Sequence, residues 1–89
     1  MYAAVIDVTV HDFEPALQSL KERVVPMVSQ SPGFVSGVWL GPSDGKGHSV
    51  VVFQSEEDAQ RMIDQLRANP ENSDVTLDSV EIREVVASA

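Results

Sequence analysis

The chain has 89 residues, which is enough for one domain and too few for a catalytic domain plus a regulatory one. Fourteen acidic residues against six basic ones give a net charge of −8, which argues against nonspecific nucleic-acid binding and against docking on an anionic membrane, since both need surplus Lys and Arg. There is no Cys, so disulfides, thiolate catalysis, Cys-ligated zinc and iron–sulfur clusters are excluded.

Tyr2 to Val10 is rich in β-branched residues and reads as a strand whose even positions, Tyr2, Ala4, Ile6, Val8 and Val10, form an apolar face. Asp12 is placed to cap a helix, with Pro15 tolerated in its first turn. Phe13, Leu17, Leu20, Val24 and Val28 then recur at helical spacing, opposite Glu14, Gln18, Lys21 and Glu22. Pro26 lacks an amide hydrogen, which predicts a kink near Val25 or an irregular last turn. Ser31-Pro32-Gly33 ends the helix. Phe34 to Leu40 reads as the second strand, a turn runs from Gly41 to Gly47, and His48 to Gln54 reads as the third strand, completing a hairpin.

Ser55 is the expected cap of a second helix, with Glu56, Glu57 and Asp58 in the first turn, where the helix dipole favours negative charge. Ala59, Met62, Ile63 and Leu66 form its apolar stripe, and Glu57 is spaced to pair with Arg61. Residues 69 to 74 read as a polar loop. Val75 to Val86 reads as the last strand, but its alternation changes phase between Val75/Leu77 and Val80/Ile82, which predicts a bulge near Asp78 and Ser79. The order is β-α-β-β-α-β over a single domain, residues 1–89. With right-handed crossovers this is a ferredoxin-like α+β fold: a four-stranded antiparallel sheet with both helices on one face.

The free face of such a sheet should be polar. Here it is not. Val35 and Trp39 oppose Phe34, Val38 and Leu40 across the second strand, and Val50 and Val52 oppose Val51 and Phe53 across the third. Both faces are apolar in either hairpin register, and the turn leaves the register open. Two helices cover one face only, so a homodimer paired through the other is expected. The apolar end of the last strand, Val85-Val86-Ala87, suits pairing with a partner's sheet edge.

Two segments, Ser31-Pro32-Gly33-Phe34-Val35 and Val52-Phe53-Gln54-Ser55-Glu56-Glu57-Asp58-Ala59, together with the element order, resemble the antibiotic biosynthesis monooxygenase-like domains of the dimeric α+β barrel superfamily. The resemblance implies a dimeric barrel. It also implies one of three activities: cofactor-independent oxygenation of polyphenolic substrates, haem degradation, or none assigned. The haem-degrading branch uses an Asn on the first strand, a Trp, and an iron-ligating His on a helix. This chain has Asp7 and no Asn on its first strand, no His within a helix, and its one Trp, Trp39, on the second strand.

Few residues carry chemistry. Trp39 is suited to stacking on an aromatic ligand, although an indole is more often core or interface. Phe53 and Met62 are the further ligand-binding candidates, and Phe13, Met27 and Leu66 would extend such a lining, though stripes of this kind are usually plain core. His48 is a candidate general base, with a solvated surface His as the ordinary alternative. His11 reads as a surface residue. Asp7 is a mid-strand carboxylate and needs partners. If Val80 and Ile82 face the helices, Arg83 shares Asp7's face and is its expected partner, either as an interface ion pair or as part of a polar pocket.

No Ser/His/Asp order matches a nucleophile motif, and no glycine loop precedes a helix as phosphate binding requires. Two scattered His make a poor metal site, so neither metal nor cofactor is expected. The N-terminus lacks a basic segment followed by an apolar one, and no stretch reaches the roughly 20 apolar residues of a membrane span, so a cytoplasmic protein is expected. Three functions remain open: binding of a small apolar or aromatic molecule between sheet and helices, a monooxygenase-like reaction on an aromatic substrate, or a non-catalytic structural or stress-associated dimer. An open apolar cavity would favour the first, convergent polar side chains in it the second, and a closed core the third.

Overall fold

The computed structural model of the chain describes residues 1–68 and 74–89. Four strands, β1 (Tyr2–Val10), β2 (Phe34–Trp39), β3 (Lys46–Phe53) and β4 (Val75–Glu84), form one antiparallel sheet in the order β2-β3-β1-β4. The first helical stretch has three parts: α1 (Phe13–Ser19), a π-helical turn (Leu20–Val24) and α2 (Val25–Ser29). The second is α3 (Glu56–Ala68). This is the expected ferredoxin-like α+β arrangement. The expected polar loop lies outside the described residues except for Asp74.

The even positions of β1 turn toward the helices, where Ala4 and Ile6 join Val51 and Phe53 of β3 in the buried core. Helix α3 adds Ala59, Met62 and Ile63, and α2 adds Val28. Trp39 lies opposite Ser49 and Val38 opposite Val50, which settles the hairpin register. The turn is the two-residue Asp44-Gly45, with φ of 52° and 75°, closed by paired Ser43 and Lys46. Both positive φ values suit a tight hairpin, and Asp-Gly supplies them at little cost.

The bulge in β4 is where the change of phase put it. Asp7 faces Ser79 while Val8 faces Leu77, leaving Asp78 as the extra residue. A second bulge, at Val35, separates the pairs Phe34–Phe53 and Ser36–Val52. It corrects the expected alternation in β2. Phe34 packs against the core on the same side as Trp39, with its ring 6.2 Å from that of Phe53.

Three local expectations are adjusted. Asp12 occupies the cap position in extended conformation, but its carboxylate makes no capping bond. Pro26 disturbs the helix beside Val25, as expected, but through a widened turn before it. It cannot donate to the Glu22 carbonyl, and the preceding turn widens so that the Val25 N–H reaches back five residues to the Leu20 carbonyl. Arg61 pairs with Asp58 at 3.2 Å rather than with Glu57. The Ser55 cap forms as expected, its hydroxyl accepting from the Asp58 N–H at 3.1 Å.

The two segments that carry the family resemblance meet in space. Gly33 has φ of 78°, and the Asp58 side chain occupies the place where a Cβ on Gly33 would go. The Gln54 N–H donates to the Gly33 carbonyl at 2.8 Å. Gly33 is therefore needed both for its backbone angle and for the approach of α3.

Candidate functional site

Away from the core, the first helical stretch and the sheet do not close on each other. A cavity of about 610 Å³ lies between them. Its floor follows the ladder. The innermost rung is Trp39, Ser49 and Ile6, the next is Gly47, Val8 and Leu77, and Val10 and Val75 form the last. Phe13, Ala16 and Leu17 of α1, with Leu20 and Val24 of the π turn, form the roof. Leu66 and Arg67 at the end of α3 close one side. The cavity is open to solvent, since Phe13, Leu40 and Leu77 in its wall are 46%, 59% and 39% exposed.

Polar groups are few in this cavity and they do not converge. Ser49 lies in the floor and is buried, with 7% exposure. Thr76 is at the rim, hydrogen-bonded at 2.7 Å to Nε2 of His11. Arg67 is exposed at the mouth. His48 borders the floor by its position on β3, but its imidazole is turned to the other side of the sheet.

There, on the face without helices, His48 and Asp7 are opposite each other across β3 and β1. The His48 Nδ1–H donates to Asp7 Oδ1, and the Ser79 hydroxyl donates to Asp7 Oδ2 at 2.9 Å. These two bonds, that from His48 first, hold the Asp7 carboxyl below its ordinary range, because each favours the ionised form. Beside them Lys46 Nζ donates to Thr9 Oγ1 at 2.7 Å, and Thr9 Oγ1 donates to Asp78 at 2.6 Å.

The candidates read from the sequence thus separate. Asp7 and His48 come together. Arg83 does not join them. It lies opposite Ala3, four positions from Asp7 or roughly 13 Å along the strand, and its nearest carboxylate is Glu81 at 3.6 Å. Trp39 lines the cavity, as do Phe13 and Leu66. Phe53 and Met62 do not, because they are sealed in the core at 0% and 1% exposure. Ser49 was not singled out, although its signal was present. It is the one polar residue on the phase of β3 that carries Val51 and Phe53.

No family model matches the chain, and neither does any curated protein. Solved structures do. A point variant of MhuD with two manganese protoporphyrin IX molecules bound per active site is similar over 100% of this chain and 98% of its own, with TM-score 0.74 and 23% identity. SnoaB, a cofactor-independent oxygenase from Streptomyces nogalater, matches over 98% of this chain and 94% of its own at TM-score 0.75 and 17% identity. A protein of unknown function from Nitrosomonas europaea matches at TM-score 0.64 and 17% identity, over 99% and 92% of the two chains. The chain shares the fold of these proteins, a four-stranded antiparallel sheet in the order β2-β3-β1-β4 with its helices packed against it.

Proposed function

We propose that this protein binds a small apolar or aromatic molecule in the cavity between sheet and helices, and does so as a homodimer paired through the open faces of its sheets. The observation that carries the binding reading is the cavity, which is apolar on floor and roof, walled in part by Trp39, and large enough for a ligand of several fused rings. Structural neighbours lend support, since MhuD from Mycobacterium tuberculosis takes two hemes, flat and largely apolar molecules, in its active site. The closed, purely structural dimer is disfavoured by the same cavity.

A haem as resident cofactor does not fit. Among the described residues no Met, Tyr or imidazole of the kind that ligates haem iron faces the cavity, and the imidazole of His48 is held by Asp7 on the far side of the sheet. The monooxygenase-like alternative gains from the fold match to SnoaB. Among the described residues no proton-accepting side chain is directed into the cavity, and binding without catalysis is the better-supported reading.

Titration with 1-anilinonaphthalene-8-sulfonate tests it. The expected result is saturable fluorescence enhancement with one probe per chain, lost when Ala16→Phe fills the space beneath α1 while the fold, checked by circular dichroism, persists. Equal binding by parent and filled variant would defeat the reading.

A further inference from the structure

Among the described residues Ser49 is the only buried polar one. Its hydroxyl has no hydrogen-bond partner in the folded chain. Among the described residues no fully enclosed side-chain oxygen or nitrogen lacks a partner, so the Ser49 oxygen is not sealed in, and the surface it keeps is in the cavity floor. Around it the floor is apolar. Ile6 lies opposite it on β1 and Trp39 opposite it on β2. A hydroxyl in such a place loses most of its water and gains nothing from the protein, an imbalance that a suitable ligand atom would remove.

We infer that Ser49 is the polar anchor of the cavity, and that the molecule bound there is an aromatic one carrying a hydroxyl or carbonyl oxygen at its inner end. This deepens the binding reading above and rests on it. Three features fit the geometry. The anchor is at the innermost rung of the floor, so the oxygenated end enters first and the remaining rings lie over Gly47, Val8 and Leu77. Trp39 is directly beside the anchor, and its ring is set down along β2 over Gly37, where a Cβ would come within 2.9 Å of it. The indole therefore borders the anchor as a wall, with Gly37 leaving it room. Ser49 can donate or accept, so it serves either a carbonyl or a hydroxyl oxygen. A purely hydrocarbon ligand would leave the hydroxyl without a partner.

A matched pair of probes separates this proposal from the reading beneath it. Naphthalene and 2-naphthol share a ring system and differ by one hydroxyl. Each is titrated by displacement of 1-anilinonaphthalene-8-sulfonate from the parent and from Ser49→Ala. The expected result is unchanged naphthalene affinity in Ser49→Ala and a loss of about five- to tenfold for 2-naphthol, the range of one net hydrogen bond. The same variant should melt no lower than the parent without ligand, since the hydroxyl it removes has no internal partner. A Ser49→Ala variant that binds both probes as the parent does overturns the anchor while leaving the cavity reading intact. Failure of both probes to displace the dye from the parent overturns both readings, and failure of 2-naphthol alone overturns the anchor. A marked drop in melting temperature for Ser49→Ala also counts against the proposal, because it would show that the hydroxyl is spent within the fold.

Discussion

Asp7 is a mid-strand carboxylate on the open face of the sheet, with 42% of its side chain exposed, and the structure gives it two donors, His48 and Ser79. Hydrogen bonds to the charged form lower its pKa on folding. A carboxyl lowered in this way adds stability above its ordinary value near 3.8, and that contribution is lost as pH falls through the lowered value. Asp7→Asn should therefore melt below the parent at neutral pH, with a gap that holds down to about pH 5 and closes in more acid solution. Melts of both proteins across this range check it, and a gap independent of pH would show that the charge is not what His48 and Ser79 hold. The need of Asp7 for partners was legible in the sequence, but the partners were not. Arg83 shares its face but not its rung, and rungs are set by register, which strands apolar on both faces do not reveal.

At the scale of the elements, β3 places neighbouring valines in opposite surroundings. Val51 is 1% exposed under the helices, whereas Val50 is 37% exposed on the open face. A carboxylate at position 51 would be buried without a partner, at a cost of several kcal/mol. A domain holding about 5–10 kcal/mol in total does not absorb that. Val51→Asp should be unfolded or melt far lower by calorimetry. Glu57→Ala should melt within a degree or two of the parent, because Glu57 is exposed and Arg61 pairs with Asp58 instead.

Element phases were largely legible. The change of phase between Leu77 and Val80 located the bulge at Asp78, and Ser55 before three acidic residues located the start of α3. The bulge at Val35 was not, since Phe34, Val35 and Val38 are all apolar and any phase satisfies them. Nor was the π turn, because Pro26 announces a disturbed helix without saying whether the adjustment falls before or after it.

For the whole molecule, the open face is where the proposed dimer would pair. Val38 at 58% and Val50 at 37% exposure sit on paired rungs, and Val5 continues the row on β1. An apolar row across three strands calls for a cover. Size exclusion with light scattering should give twice the chain mass. Val50→Lys should give the single chain mass while keeping the parent's circular dichroism, since the residue takes no part in the core. A parent that runs as a monomer would remove the dimer.

The floor and roof of the cavity are fastened unequally. The floor is hydrogen-bonded sheet, and α3 is pinned by Ala59, Met62 and Ile63. The roof is held at its far end by Val28, the π turn buries none of its residues, and α1 buries only Ala16. Local stability follows buried apolar contact, so α1 opens more often than the rest of the chain and does so without global unfolding. Amides of Ala16 to Ser19 should exchange with deuterium well before the hydrogen-bonded amides of α3. For the ligand proposed above, floor contacts would govern how tightly it is held and the loosely seated roof how long it stays, so its residence time could be altered by changes in α1 that leave every contact with the floor in place.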